Sequence, residues 1–301
     1  MNELFAITDL SEMINYDSFL FLVLSMIMLW IGKKVYDYFT SYKIDKELTT
    51  NDNKAVAVSF AGYLTGLGII IWGVVSSPSS SDNVMFGMEV SDMSLLITDI
   101  VQVIIWSSIG IILLNISKLV NDKLILSKFN NTKELIEDKN VGTGAVDFGA
   151  FIASAIIIKS VISGETVDCM GTEMLGTLIF FVAGQILFII FAMIYQKITS
   201  YDFHAEIERD NAAAGLSFGL ALVAVGMLIA HPILNSDSLV RVGVWFVLGT
   251  VLLIISKKVV DKLIFPDHKV DDEISKDQNW GVALVDGLIS ITVVLLLNSA
   301  F

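Results

Sequence analysis

Two aspartates set in apolar sequence are the residues best placed to do chemistry. Asp147 and Asp286 each lie seven residues beyond an asparagine, Asn140 and Asn279, that opens a hydrophobic run. At 1.5 Å per residue each carboxyl sits about 10 Å along a helix. An ionisable group inside a membrane span is costly and marks a functional site by default. Two carboxylates brought together share a proton or hold a cation, because their like charges resist joint ionisation. Alternatively, each is reached by water, by a lysine extending from the membrane face (Lys118 or Lys257), or by a serine hydroxyl. Ser59 and Ser217 recur at equivalent places in the same inner layer and are the candidate donors. A serine within a span more often bonds its own helix or a neighbour, at about 0.6 kcal/mol.

The elements that must position these residues follow from composition. Of 301 residues, 54% are hydrophobic and 17% charged, with a mean hydropathy of +0.73. Soluble chains carry about 25% charged residues. Apolar runs long enough to span a bilayer recur throughout, giving eight helices at 18–39, 53–75, 95–120, 141–163, 173–196, 211–231, 239–260 and 280–300. Only helices or closed barrels satisfy backbone groups in lipid, and runs without period-2 alternation are helices. The three prolines, Pro78, Pro232 and Pro266, fall at or beyond helix ends, where proline is tolerated. The first 17 residues contain Glu3, Asp9, Glu12 and Asp17 but no Lys or Arg, so they do not read as a signal peptide. The segments after helices 1, 3, 5 and 7 hold 17 of the 19 Lys and Arg, and only Lys159 and Arg241 lie at the opposite boundary. The positive-inside rule then places both termini outside.

The net charge of −13 argues against nucleic-acid binding. Its excess is on the outer side, where 12 acids face two bases, and such a field concentrates cations. Three His and one Cys exclude a Cys/His metal cluster or a disulfide framework. No catalytic triad, P-loop or dinucleotide signature stands in a suitable context, and the loops are too short for a soluble catalytic domain. No cofactor, metal or enzymatic activity is expected.

The chain reads as two copies of one unit. Residues 116–125 match 255–264 at eight of ten positions, at an offset of 139 that also aligns Asp147 with Asp286. Upstream the offset is 158, aligning Asp52-Asn53, Ser59-Phe60 and Gly68 with Asp210-Asn211, Ser217-Phe218 and Gly226. The difference reflects an insertion near 76–94. Four helices per copy preserve orientation, so the expected fold is all-α, with parallel repeats at 1–166 and 167–301 about a pseudo-twofold axis along the membrane normal. Helices 2, 4, 6 and 8 open with Asn53, Asn140, Asn211 and Asn279. These are N-caps for the first turn or, alternatively, mark a ring of helix N-termini that binds an anion.

The blocks from Asp52 to Gly62 and from Asp210 to Gly219, with the starts of the last helices at Asn140 to Gly149 and Asn279 to Gly287, resemble the bacterial inner-membrane family called domain of unknown function 350, which includes the YjfL-like and UPF0719 proteins. A typical member is one four-helix unit, so this chain looks like two units fused. The resemblance covers nearly the whole chain. It implies a bacterial inner-membrane location and an envelope-maintenance context near membrane-stress proteins and polyamine-ligating enzymes. It implies no activity.

The remaining polar residues read as structural. Gly62 and Gly66, Gly215 and Gly219, and Ala145 and Gly149 are spaced four apart for close helix packing. Gln102, Asn115 and Gln185 are interhelical bonders, His231 a helix-end residue and Cys169 a single outer thiol. Two functions remain: a non-enzymatic inner-membrane protein of the envelope, acting through helix packing, homo-oligomers or a stress-protein partner, and a transporter or channel for protons, cations or polyamines using Asp147 and Asp286. Membrane lipid is a partner under either.

Overall fold

The computed structural model describes residues 16–77, 84–85, 88–89, 92–163, 170–236 and 238–300. The leading segment, the expected repeat boundary, Cys169, Pro78 and the outer acids Glu3, Asp9, Glu12, Asp82, Glu165, Asp168 and Asp237 lie outside the described residues. Eight helices are long and apolar enough to cross a membrane. They are α1 (Tyr16–Phe39), α3 (Lys54–Ser76), α4 (Asp92–Val120), α6 (Val141–Ile162), α7 (Met170–Ile198), α9 (Ala212–Asn235), α10 (Leu239–Leu263) and α12 (Trp280–Ala300). Four six-residue helices join them in pairs: α2 (Ile44–Thr49), α5 (Asn131–Ile136), α8 (Phe203–Glu208) and α11 (Val270–Ser275). A π turn at Asn121–Ile125 extends α4, and β1 (Val84–Met85) pairs antiparallel with β2 (Met88–Glu89) in the inserted segment.

The spans fall within a few residues of the sequence reading, with one correction. Helix α9 does not close at His231 and Pro232 but runs through both to Asn235. A proline in the last turn removes its own N–H from the ladder and crowds the Leu228 carbonyl, and Asn235 Nδ2 donates to the His231 carbonyl 2.8 Å away.

The architecture repeats every three helices as span, short helix, span. The second spans form a row, α3–α6–α9–α12, in which α6 and α9 each pack on both neighbours. The first spans lie over this row: α1 on α3, α4 on α3 and α6, α7 on α6 and α9, and α10 on α9 and α12. Apolar side chains on the lipid side, such as Phe19, Met26 and Trp30 of α1 and Val240 and Val247 of α10, are exposed. Lipid is the solvent that makes this tolerable.

Small residues set the row's tight spacing. A Cβ on Gly149 would fall on the backbone of Gly219, and one on Gly215 on the backbone of Gly142, so the α6–α9 join between the repeats is backbone against backbone. Within the repeats a glycine again sets the closest approach, but on opposite helices and against different atoms. Gly62 of α3 lies against the backbone of Phe148 on α6, whereas Gly287 of α12 lies against the side chain of Leu220 on α9. The sequence offsets place Gly62 opposite Leu220 and Phe148 opposite Gly287 in the repeat alignment.

The repeats are parallel and follow one another along the row. A closed pseudo-twofold would also pack α12 on α3. These helices instead form the two ends, so the expected twofold is left open.

Candidate functional site

Each second span opens on one asparagine, used three ways in all four and a fourth way in three of them. The Oδ1 atoms of Asn53, Asn140, Asn211 and Asn279 accept the N–H of Val56, Thr143, Ala214 and Val282, capping the four second spans. Their backbone N–H groups donate to the carbonyls of Glu47, Glu134, Glu206 and Glu273 at 2.8–3.0 Å. Their Nδ2 atoms donate to those same glutamates' carboxylates. The second Nδ2 hydrogen crosses to the following unit: Asn53 to the Leu135 carbonyl (2.7 Å), Asn140 to that of Ile207 (2.6 Å), and Asn211 to that of Ile274 (2.8 Å). The residue before each asparagine, Asp52, Lys139, Asp210 or Gln278, is left-handed, with φ of 46–61°. That conformation costs a non-glycine residue about 1–2 kcal/mol, and the bonds on the next residue hold it. The helix N-termini are thus occupied by their own caps. Glu134 is buried, and burial raises its pKa against the lowering effect of the Asn140 bond.

Asp147 lies above this layer in a closed network. Ser59 Oγ donates to its Oδ2 at 2.8 Å, and Lys118 Nζ reaches the same oxygen at 3.1 Å. Asn121 Nδ2 donates to Oδ1 at 2.8 Å. Lys118 also reaches Asp122 Oδ1 at 3.1 Å, which accepts from Asn131 Nδ2 at 2.9 Å. Asp147 is 1% exposed, and the gap beside it, between Ser117, Ala150 and Phe151, is too small for a water molecule. The π turn aims Asn121 inward, a use of helix irregularity common at polar sites.

The second repeat arranges the same positions differently. Asp286 accepts from Ser217 Oγ at 3.2 Å, and Ser217 Oγ lies 3.0 Å from the Tyr195 hydroxyl. Lys257, the counterpart of Lys118, places Nζ 2.9 Å from Asp271 on α11. Asp271 stands where the first repeat has Thr132, and its other oxygen accepts the Ser200 N–H at 2.7 Å. Val260 replaces Asn121, removing the amide donor.

The two carboxylates do not form a pair. Each is bonded within its own repeat, and α9 stands between the helices that carry them. Packing α6 directly on α9 turns Asp147 away, toward α3 and α4. Among the described residues no three of His, Cys, Asp and Glu gather to hold a metal. At the span ends opposite the short helices, Lys159 Nζ lies over the Trp72 ring at 3.6 Å, and Arg241 donates to the Asn235 carbonyl. Gln185 is buried, and Asn115 donates to the Tyr63 hydroxyl.

Sequence reasoning missed the four glutamates, although each stands five or six residues before its asparagine. It also missed a repeat at offset 159, in which Tyr36, Thr40 and Tyr42 match Tyr195, Thr199 and Tyr201. The two threonine hydroxyls bond the carbonyls of Tyr36 and Tyr195 at 3.1 and 2.9 Å, closing each first span before its short helix.

The model of the family described as Domain of Unknown Function (DUF350) matches twice, at residues 8–162 and 169–301. A "UPF0719 transmembrane protein" from Aquifex aeolicus (strain VF5) is 23% identical over 268 residues, covering 86% of this chain and 91% of the relative. The "UPF0719 transmembrane protein YshE" from Bacillus subtilis (strain 168) is 26% identical over 124 residues, covering 41% of this chain and 91% of the relative. The tandem length is therefore shared with one relative and doubled over the other. No solved structure matches.

Proposed function

Because the chain belongs to the DUF350 family and carries two copies of its unit in one polypeptide, we propose that it is a non-enzymatic scaffold of the bacterial cytoplasmic membrane. In this reading the row of hairpins is the working part. The buried carboxylates tether helices, and the four short helices offer an inner-surface platform to an envelope or membrane-stress partner. The observation that carries it is the state of Asp147, which has three protein partners in a space too small for water. A conducting site needs a group that can exchange its partners for solvent or cargo. The distribution of Lys and Arg supports the short helices on the cytoplasmic side and both termini outside.

The test is flux. Proteoliposomes holding the full chain are expected to pass protons, K⁺ and spermidine no faster than empty vesicles. A flux that Asp147→Asn or Asp286→Asn abolishes would overturn the scaffold reading. One observation favours transport at the second site: Asp286 holds a single serine hydroxyl, and its lysine is engaged elsewhere. In that case the Asp286→Asn variant alone removes the flux, and the acidic outer face serves to gather cations or polyamines.

A further inference from the structure

The row ends on two faces that are buried wherever the row continues. Gly142 of α6 backs on Asn211, but its counterpart Gly281 of α12 touches only the side chain of its own cap, Asn279. Gly226 of α9 backs on Ala153, whereas its counterpart Gly68 of α3 meets nothing. The asparagine bridges stop at the same place. Asn53, Asn140 and Asn211 each bond a carbonyl of the next unit, while Asn279 Nδ2 bonds Glu273 alone among the described residues. At the other end, the Leu48 carbonyl of α2 occupies the position that Leu135 holds in α5, five residues before its asparagine. The chain thus presents an unmatched donor at one end and the corresponding acceptor at the other, each beside an uncovered helix face.

We propose that a second copy of this chain continues the row, with α12 of one copy docked on α3 of the next and Asn279 Nδ2 donating to the second copy's Leu48 carbonyl. The internal α6–α9 join supplies the register. Gly142 on Gly215 becomes Gly281 on Ala57, Gly149 on Gly219 becomes Leu288 on Ala61, and Ala153 against Gly226 becomes Thr292 against Gly68. The residues required to face outward do so: Gly281, Leu288 and Thr292 on α12, and Ala57 and Ala61 on α3, are exposed. Leu288 on Ala61 is bulkier than Gly149 on Gly219. It repeats the large-on-small fit that joins Leu220 to Gly287. The overlying layer is open at the same point. Helix α7 lies across both α6 and α9, whereas α1 lies on α3 with Leu22 and Met26 exposed on its free flank. Docking would place that flank over the new join. The contact uses two different surfaces, so it is head-to-tail and either closes into a ring or continues. It does not depend on whether the buried carboxylates move ions.

The test uses two differently tagged chains, both with Cys169→Ser, one carrying Ala61→Cys and the other Leu288→Cys. They are coexpressed and oxidised in native membranes. Both positions are exposed on a single copy, so its own folding is undisturbed. The expected result is a cross-tag disulfide dimer at least ten-fold more abundant than the product of either variant with itself. Adding Asn279→Ala should lower its yield several-fold. Three results would overturn the proposal: no cross-tag product, equal yields from like pairs, or a purely intramolecular disulfide in a chain carrying both cysteines.

Discussion

In the first repeat Lys118 bridges Asp147 and Asp122 while Asn121 and Ser59 complete the carboxylate. In the second, Lys257 has turned to Asp271 on the short helix, Val260 offers no donor, and Asp286 retains one serine. Two side-chain changes, Asn121 against Val260 and Thr132 against Asp271, account for the divergence. Common to both repeats is the serine-to-aspartate bond between the two spans that pack most closely. The lysine and the amide are additions specific to the first site. The tether is therefore the element the architecture requires, and the extent of charge compensation varies around it. A lysine's long stem permits this, since the same backbone position reaches either a carboxylate in the span or one at the membrane face.

The largest predicted difference comes from removing the carboxylates one at a time. Asp147→Ala leaves Lys118 buried with only Asp122 and should cost about 3 kcal/mol. Asp286→Ala leaves Lys257 with Asp271 and loses one hydroxyl bond, at about 1 kcal/mol. Reversible unfolding in mixed micelles reads both, and equal losses would erase the contrast between the sites. A second difference sets the interior of the row against its end. Asn140→Ala removes a cap, a glutamate bond and a bridge to Ile207, at about 2–3 kcal/mol. Asn279→Ala removes a cap and a glutamate bond, at about 1–2 kcal/mol in a monomeric preparation. If the end asparagine proved the costlier, the bridging role would be wrong.

The smallest difference is in pH response. His204, on α8 of the second repeat, stands where the first has Asp45, and its Nε2 lies 2.8 Å from the Ile125 carbonyl. That contact places the ring hydrogen on Nε2, since a carbonyl only accepts. Burial lowers the pKa of His204 below its usual 6.5. A base whose folded pKa is depressed favours the fold while neutral, so its contribution is complete above pH 6.5 and declines as pH falls below it. Unfolding midpoints measured from pH 7.5 to 5.5 should drift down for the parent chain and less for His204→Gln. Parallel drifts would assign the effect to other groups.

Span positions, the tandem repeat and the four cap asparagines were legible in the sequence because each rests on local signals: a run of apolar residues, a repeated string, a polar residue at a helix start. The four short helices were not, since six residues are too few for a hydrophobic period to register. Lys118 and the serines could be named as partners of the aspartates from their layer in the membrane. The turn of Lys257 toward Asp271 depends on where α11 folds back, and no spacing encodes that. Whether Asp147 and Asp286 meet was not legible for a related reason. Orientation counting fixes helices as parallel, but the choice between a closed pair and a row is made by the glycine contacts of α6 with α9.

A double-mutant cycle on each lysine–aspartate pair tests the central claim most directly. With Lys118→Met, Asp147→Asn and the double variant, unfolding free energies should reveal a coupling above about 2 kcal/mol, within the range for residues in one bonded network. The matching cycle with Lys257→Met and Asp286→Asn should give a smaller coupling, about 0.5–1 kcal/mol, because no bond joins this pair directly and Lys257 acts on Asp286 only through charge and the intervening Tyr195. Equal couplings in the two repeats would contradict the account.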